Sequence, residues 1–275
     1  MRYLFSPACR SVLRQLSQQR TLCAFDFDGT LAPIASHPDS ARMRVRTRRL
    51  LQQVAALYPC AVVSGRARAD VVAKLAGVHL SRVIGNHGAE TEERPRRYKH
   101  IPGWKASLTR SLAEVPGVWI EDKGASLAVH YRQSSHKAEA QKRILEAVKA
   151  LAGTRVFGGK QVINIVLEAA PHKGDAILAE RNRIGCDLVL FVGDDDNDED
   201  AFGAGEHVIP VRVGRKRASK ALYYLRSQGE IDVLLERLIA LRTLVLPPKR
   251  STPLNVVCAS LSAVRQPPPR RRAGK

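Results

Sequence analysis

The chain has 275 residues, 44% hydrophobic and 26% charged, with a formal net charge of +19. That length and balance fit one large domain or a core with an inserted module, and exclude a wholly disordered, collagenous or transmembrane chain. The positive excess admits a polyanionic partner, such as nucleic acid or an anionic membrane, which the residue pattern must argue for or against.

The opening segment carries Arg2, Arg10, Arg14 and Arg20, but its longest apolar run, Tyr3-Leu4-Phe5, is far shorter than a signal-peptide core. Five cysteines (Cys9, Cys23, Cys60, Cys186, Cys258) form no CxxC pair. They suggest neither a disulfide framework nor a zinc site, and a reducing, cytoplasmic setting is the expectation. After a basic opening helix, the apolar run Thr21–Phe25 predicts a strand that ends in Asp26-Phe27-Asp28-Gly29-Thr30. From Asp39 or Ser40, read as N-caps, Met43, Leu50, Val54 and Leu57 recur at helical spacing. A buried-type strand, Cys60–Val63, is closed by Ser64-Gly65-Arg66, and a helix over 68–77 and a strand over 82–85 follow. Successive βαβ units predict a parallel sheet with right-handed crossovers.

The middle of the chain reads differently. Pro95 and Pro102-Gly103 punctuate a basic loop, a helix is predicted over 104–115, and the 118–132 segment reads as two strands turning at Lys123-Gly124. A helix over 135–151 and strands over 155–158 and 161–167 complete an α+β module. The core pattern resumes at Lys173-Gly174 with a helix to Ile184, then the continuous apolar strand 187–193, which runs into Asp194-Asp195-Asp196-Asn197-Asp198. A helix over 199–205, a strand over 207–213 and a helix over 230–243 finish the core. The expectation is a doubly wound, Rossmann-like α/β core from 1–85 and 173–246, an inserted cap over 86–172, and a disordered Pro/Arg-rich tail over 247–275.

Ligands of open parallel sheets bind outside the carboxyl ends of the strands, so the clusters at Asp26/Asp28, Ser64–Arg66, Lys173 and Asp194/Asp195 are expected to meet in one crevice. Converging carboxylates repel unless a cation neutralises them, and a hard, oxygen-liganded ion such as Mg²⁺ fits that set. A metal among carboxylates, a hydroxyl donor at a turn and a lysine describe a site for phosphoryl transfer. One carboxylate can attack phosphorus while another exchanges protons with the leaving group and with water.

Four ordered segments, Asp26–Thr30, Ser64–Arg66, Lys173-Gly174 and Gly193–Asp198, resemble the motifs of the haloacid-dehalogenase-like phosphatases. The extended forms, Asp26–Ile34, Gly85–Glu90, Lys123–Arg132 and Gly193–Phe202, are most similar to the trehalose-6-phosphate phosphatase family, over about residues 20–245. This resemblance implies Asp26 as nucleophile, Asp28 as general acid/base, and Ser64 and Lys173 as phosphate holders. It also implies a Mg²⁺ held by Asp26, the Asp28 backbone carbonyl and Asp194, with Asp195 and Asp198 behind them. Lys123, Ser126 and His130 are expected to face the sugar from the cap, with Arg66, His87 and Glu90 as further substrate contacts. The sequence departs from the family where a Glu-x-x-Pro precedes the lysine: the usual glutamate falls near Asn164 or Ile165, and Glu168 lies too close. Asn197 stands where threonine is common.

A lone Asp-x-Asp after a strand is more often a solvated turn, Arg66 alone reads as an ion-pair partner, and His130 alone as a packed strand residue. Order and placement promote them. Against nucleic acid stands an aromatic content of 5% with no aromatic-basic strand pattern. The expectation is a monomeric enzyme acting on a small sugar phosphate, with no membrane partner. Its rivals are a phosphatase of another sugar or glycerate phosphate and a noncatalytic nucleic-acid-binding protein on the same scaffold.

Overall fold

The computed structural model describes residues 1–35, 37–93, 98–159 and 161–245. The predicted tail and Pro95 lie outside the described residues. The strands of the main sheet are β1 (Arg2–Tyr3), β2 (Thr21–Phe25), β3 (Cys60–Val63), β4 (Arg82–Ile84), β9 (Leu188–Gly193), β10 (Val208–Val213) and β11 (Tyr223–Leu225). All pair in parallel, in the order β1-β11-β10-β9-β2-β3-β4. A second, antiparallel sheet of β5 (Trp119–Asp122), β6 (Ser126–His130), β7 (Thr154–Gly159) and β8 (Val162–Leu167) has the order β5-β6-β8-β7.

The main sheet is covered on both faces, and its central strands β2, β3 and β9 are accordingly buried along their whole length. Along β2, Cys23 and Phe25 enter one cluster while Leu22 and Ala24 enter the other, as alternation on a pleated strand requires. The first cluster is closed by α1 (Arg10–Gln18), α2 (Val45–Leu57), α3 (Arg68–Lys74) and α8 (Glu230–Val245). The second is closed by α6 (Lys173–Ile184) and α7 (Glu199–Phe202). In the second sheet, Leu127, Val129, Ile163 and Ile165 share one face and pack on α4 (Ile101–Ser111) and α5 (Lys137–Lys149). The opposite face is set by register: Trp119 lies opposite His130, and Ala128 and Phe157 opposite Asn164.

Two predicted boundaries move for physical reasons. Helix α2 begins at Val45 rather than after Asp39 or Ser40: residues 38–40 form a separate 3₁₀ turn, and the N-cap Arg44 is extended and makes no side-chain cap. Helix α4 begins at Ile101, earlier than expected, because Pro102 sits in its first turn, where a missing N–H costs nothing. Helix α6 follows the capping logic closely. His172 Nδ1 accepts from the Asp175 amide while the Asp175 carboxylate accepts from the His172 amide, and Gly185 closes the helix with φ +67°. Among the described residues, no helix is long and apolar enough to cross a membrane.

Candidate active site

Phe25 lies opposite Val62 and Val192 in the register of β2 with β3 and β9. The carboxyl ends of these strands are therefore level, and Asp26, Ser64 and Asp194 leave the sheet along one edge. Lys173, the first residue of α6, reaches the same point: its Nζ donates to Asp26 Oδ1 at 2.7 Å and to Asp198 Oδ1 at 2.6 Å. Lys173 is only 1% exposed and Asp198 fully buried. Burial alone would push the lysine down, but Asp198 and Asp26 outweigh it and keep it charged. Burial also raises the Asp26 carboxyl well above the ordinary range, opposed by Lys173 and reinforced by Asp198 and Asp194.

The carboxylates of Asp26, Asp194 and Asp198 bring oxygens within 4.8 Å of one another. Asp198 is the most committed of them, since its Oδ2 accepts from the amides of Asp194 and Asp195, both at 2.9 Å. Gly29, with φ +83°, lies under Asp194, and a Cβ there would collide with that carboxylate. A buried all-oxygen set of this charge fits a hard divalent cation. The cluster holds Asp198 and not the Asp28 side chain. Asp28 turns instead to Arg66, which forks onto it through Nε at 2.6 Å and Nη2 at 2.7 Å and also meets Asp70 at 2.7 Å. Burial pulls the guanidinium down, and the bonds to Asp28 and Asp70 more than reverse this.

Above this floor lies a cleft of about 720 Å³, lined among others by Asp26, Asp28, Arg66, His87, Lys123, His130, Asn164 and Asp194. Ser64 is buried beside it, with Oγ accepting from the Arg66 amide at 3.2 Å. The cap reaches the core through Lys123, whose Nζ donates to the Gly65 carbonyl at 3.0 Å. His87 is buried in a left-handed conformation, φ +59°, edge-on to Phe157 at 4.6 Å. Burial first, then the charges of Lys123 and Lys173, hold its pKa well below the usual imidazole range. Asn164 interacts with it more weakly, short of hydrogen-bond geometry, so neither ring nitrogen has a hydrogen-bond partner among the described residues.

Two of the expected substrate contacts are placed elsewhere. Glu90 and Ser126 are absent from the cleft lining among the described residues; both hold Asn86. The Asn86 amide donates to Glu90 at 2.7 Å and to the Lys123 carbonyl at 3.2 Å, and its oxygen accepts from Ser126 Oγ at 2.7 Å. Asn86 thus clasps the cap hairpin to the core. Sequence reasoning missed it, and its one signal is a small polar residue between Gly85 and His87 in a segment needing positive φ, +47° here. Glu121 was missed as well. It lines the cleft, where His130 Nε2 meets its carboxylate at 2.9 Å. Burial pushes Glu121 up, but His130, Lys123 and Arg66 outweigh it and hold it low.

Level strand ends, a buried lysine and a carboxylate cluster under a second sheet define a haloacid-dehalogenase-type core with a cap, and solved structures share that fold. The C-terminal domain of the Candida albicans trehalose-6-phosphate phosphatase matches with a TM-score of 0.73 at 21% identity, covering 84% of this chain and 96% of that one. A Bacteroides thetaiotaomicron phosphatase of the haloalkanoate enzyme superfamily matches at 0.60 and 14% identity, covering 82% and 97%. The trehalose-phosphatase family model matches residues 24–228, and the chain belongs to that family. The trehalose-phosphate phosphatase of Mycobacterium tuberculosis H37Rv is 34% identical over 262 residues, covering 83% of this chain and 63% of its own length. That of Mycobacterium leprae is 33% identical over 257 residues, covering 81% and 58%. The chain therefore spans less than two thirds of the length of these curated relatives.

Proposed function

We propose that this chain hydrolyses the phosphomonoester of a sugar, trehalose 6-phosphate, through an aspartyl-phosphate on Asp26. The observation that carries the reading is the convergence of Asp26, Lys173 and Asp194 at level strand ends in a chain of the trehalose-phosphatase family. A Mg²⁺ held by Asp26, Asp194 and the Asp28 carbonyl would offset the charge of the phosphoryl oxygens. Lys173 fixes Asp26 through Oδ1 and leaves Oδ2 to attack phosphorus. The P–O bond to the sugar breaks, and Asp28 protonates the leaving oxygen, giving up one arm of the Arg66 fork to do so. Asp28 then takes a proton from water, whose oxygen attacks phosphorus, and the bond to Asp26 breaks.

The cap, with hinges near residues 86–104, of which 94–97 lie outside the described residues, and 165–172, would close over the sugar and exclude bulk water. Supporting this, the two connections run against each other, since a Cβ on Gly88 would lie 2.6 Å from the His172 backbone carbonyl. Asn164, in place of the usual glutamate, favours a second reading in which the leaving group is another sugar. Phosphate release from a panel of sugar phosphates, with and without Mg²⁺ and with Asp26→Asn as control, separates the readings. Mg²⁺-dependent release from trehalose 6-phosphate, lost in a folded Asp26→Asn protein, is expected. Release from other sugars alone would refute the substrate, and release unaffected by Asp26→Asn would refute the mechanism.

A further inference from the structure

Trp119 is 40% exposed yet lines the cleft that contains Asp26. It lies on the edge strand of the cap sheet, opposite His130 in the register, so both side chains leave the same face. The two rings stack at 4.0 Å with 9° between planes, and His130 is in turn bonded to Glu121 at 2.9 Å. One face of the indole is therefore buttressed by a ring that is itself anchored. No strand of the sheet covers the other side, and no other aromatic ring contacts it among the described residues. Ile34, 46% exposed, lines the same cleft from the core segment that follows β2.

A flat, rigid, half-exposed indole at the mouth of a polar cleft is suited to a ligand with an apolar face and a polar rim. A hexopyranose presents this combination: a patch of C–H bonds, slightly positive, flanked by hydroxyls. We infer that Trp119 is a specificity-determining residue that stacks on a sugar ring of the substrate, with the His130–Glu121 pair fixing its orientation. The inference rests on the sugar-phosphate reading above and adds how the sugar is recognised. It assigns the stacking contact to a residue outside the phosphoryl chemistry, so Trp119 governs which ester is accepted and not how its bond is broken.

Steady-state kinetics of the full chain on trehalose 6-phosphate and on acetyl phosphate, an acyl phosphate with no ring, separate the two roles. In Trp119→Ala, kcat/KM on the sugar phosphate relative to acetyl phosphate is expected to fall about tenfold, equivalent to about 1.4 kcal/mol, mainly through KM. Trp119→Phe is expected to keep most of the ratio, because the aromatic face survives. The chain has two tryptophans, and the other, Trp104, is buried in the cap core. Titration with trehalose is therefore expected to shift indole emission in the wild type and not in Trp119→Phe. An unchanged ratio in Trp119→Ala, or equal losses on both substrates, overturns the platform while the function stands. An indole signal that trehalose leaves unchanged also overturns it. Wild-type hydrolysis of acetyl phosphate but of no sugar phosphate overturns the function, and the platform with it.

Discussion

Replacing Lys173 with methionine tests whether the buried ion-pair cluster is a structural unit as well as a chemical one. The methionine keeps much of the side-chain length but removes the charge between Asp26, at 2.7 Å, and Asp198, at 2.6 Å. Both carboxylates are buried and Asp194 is close by, so the variant leaves like charges facing one another without a cation. Breaking a buried pair from one side costs about 3–5 kcal/mol, because the orphaned charge remains desolvated. At about 2–4 °C per kcal/mol for a chain of this size, the melting temperature should fall by roughly 6–20 °C. The pH dependence has a definite sign. An acid whose folded-state pKa is raised, as Asp26 already is, binds its proton more tightly in the folded protein, which adds stability that is lost as pH rises through the folded value. Removing Lys173 takes away the charge that opposes this rise and so raises Asp26 further; the deficit should therefore be larger at pH 8 than at pH 5. Thermal melts of both proteins across that range check it. A methionine variant within about 1 kcal/mol of wild type at pH 8, or a deficit that grows as pH falls, would refute the reasoning.

Two further substitutions address the clasp and the floor. Asn86→Ala removes the partner of Ser126, Glu90 and the Lys123 carbonyl at once and places alanine at positive φ; it should cost about 1–3 kcal/mol. Hydrogen exchange is expected to show β5 and β6 deprotected ahead of β2 and β9, and uniform loss across both sheets would count against a clasp. Gly29→Ala should abolish turnover by displacing Asp194 while the chain still folds, read by phosphate release beside circular dichroism. Activity within threefold of wild type would show that the loop accommodates a Cβ without disturbing the carboxylates.

The core strands and the residues after them were legible because each carries its signal locally. A doubly buried parallel strand must be apolar throughout, and the turn after it must hold the charged group that the ligand meets. Thr21–Phe25 before Asp26 and Leu188–Gly193 before Asp194 satisfy both conditions. Strands β1 and β11 were not legible: at two and three residues they show no periodicity, and they exist because Arg2–Tyr3 pairs with Tyr223–Tyr224 across the whole chain. The cap side of the site was hidden for a related reason. Whether Glu121, Ser126 or His130 faces the cleft depends on what the neighbouring chain offers: Asn86 draws Ser126 into the clasp, while register leaves Trp119 and His130 side by side. Residue type identified the polar positions, and only the long-range contacts sorted the clasp from the cleft.

The net charge of +19 takes on a different meaning once the contacts are known. Many of the basic side chains near the site are bound to specific acids or carbonyls: Arg66 to Asp28 and Asp70, Lys173 to Asp26 and Asp198, Arg212 to Glu199 and Lys216 to Asp196. The acids of the 194–200 loop are thus enclosed by cations on the core side while Asp26 and Asp194 line the cleft. Inside a low-dielectric pocket such contacts outweigh the diffuse field of exposed arginines, which solvent and salt screen within about 10 Å. The cleft floor therefore presents carboxylates framed by Lys173, Arg66 and Lys123. On the proposed reading, a divalent cation among these carboxylates would offset their repulsion of a phosphate dianion, which Lys173, Arg66 and Lys123 would then frame.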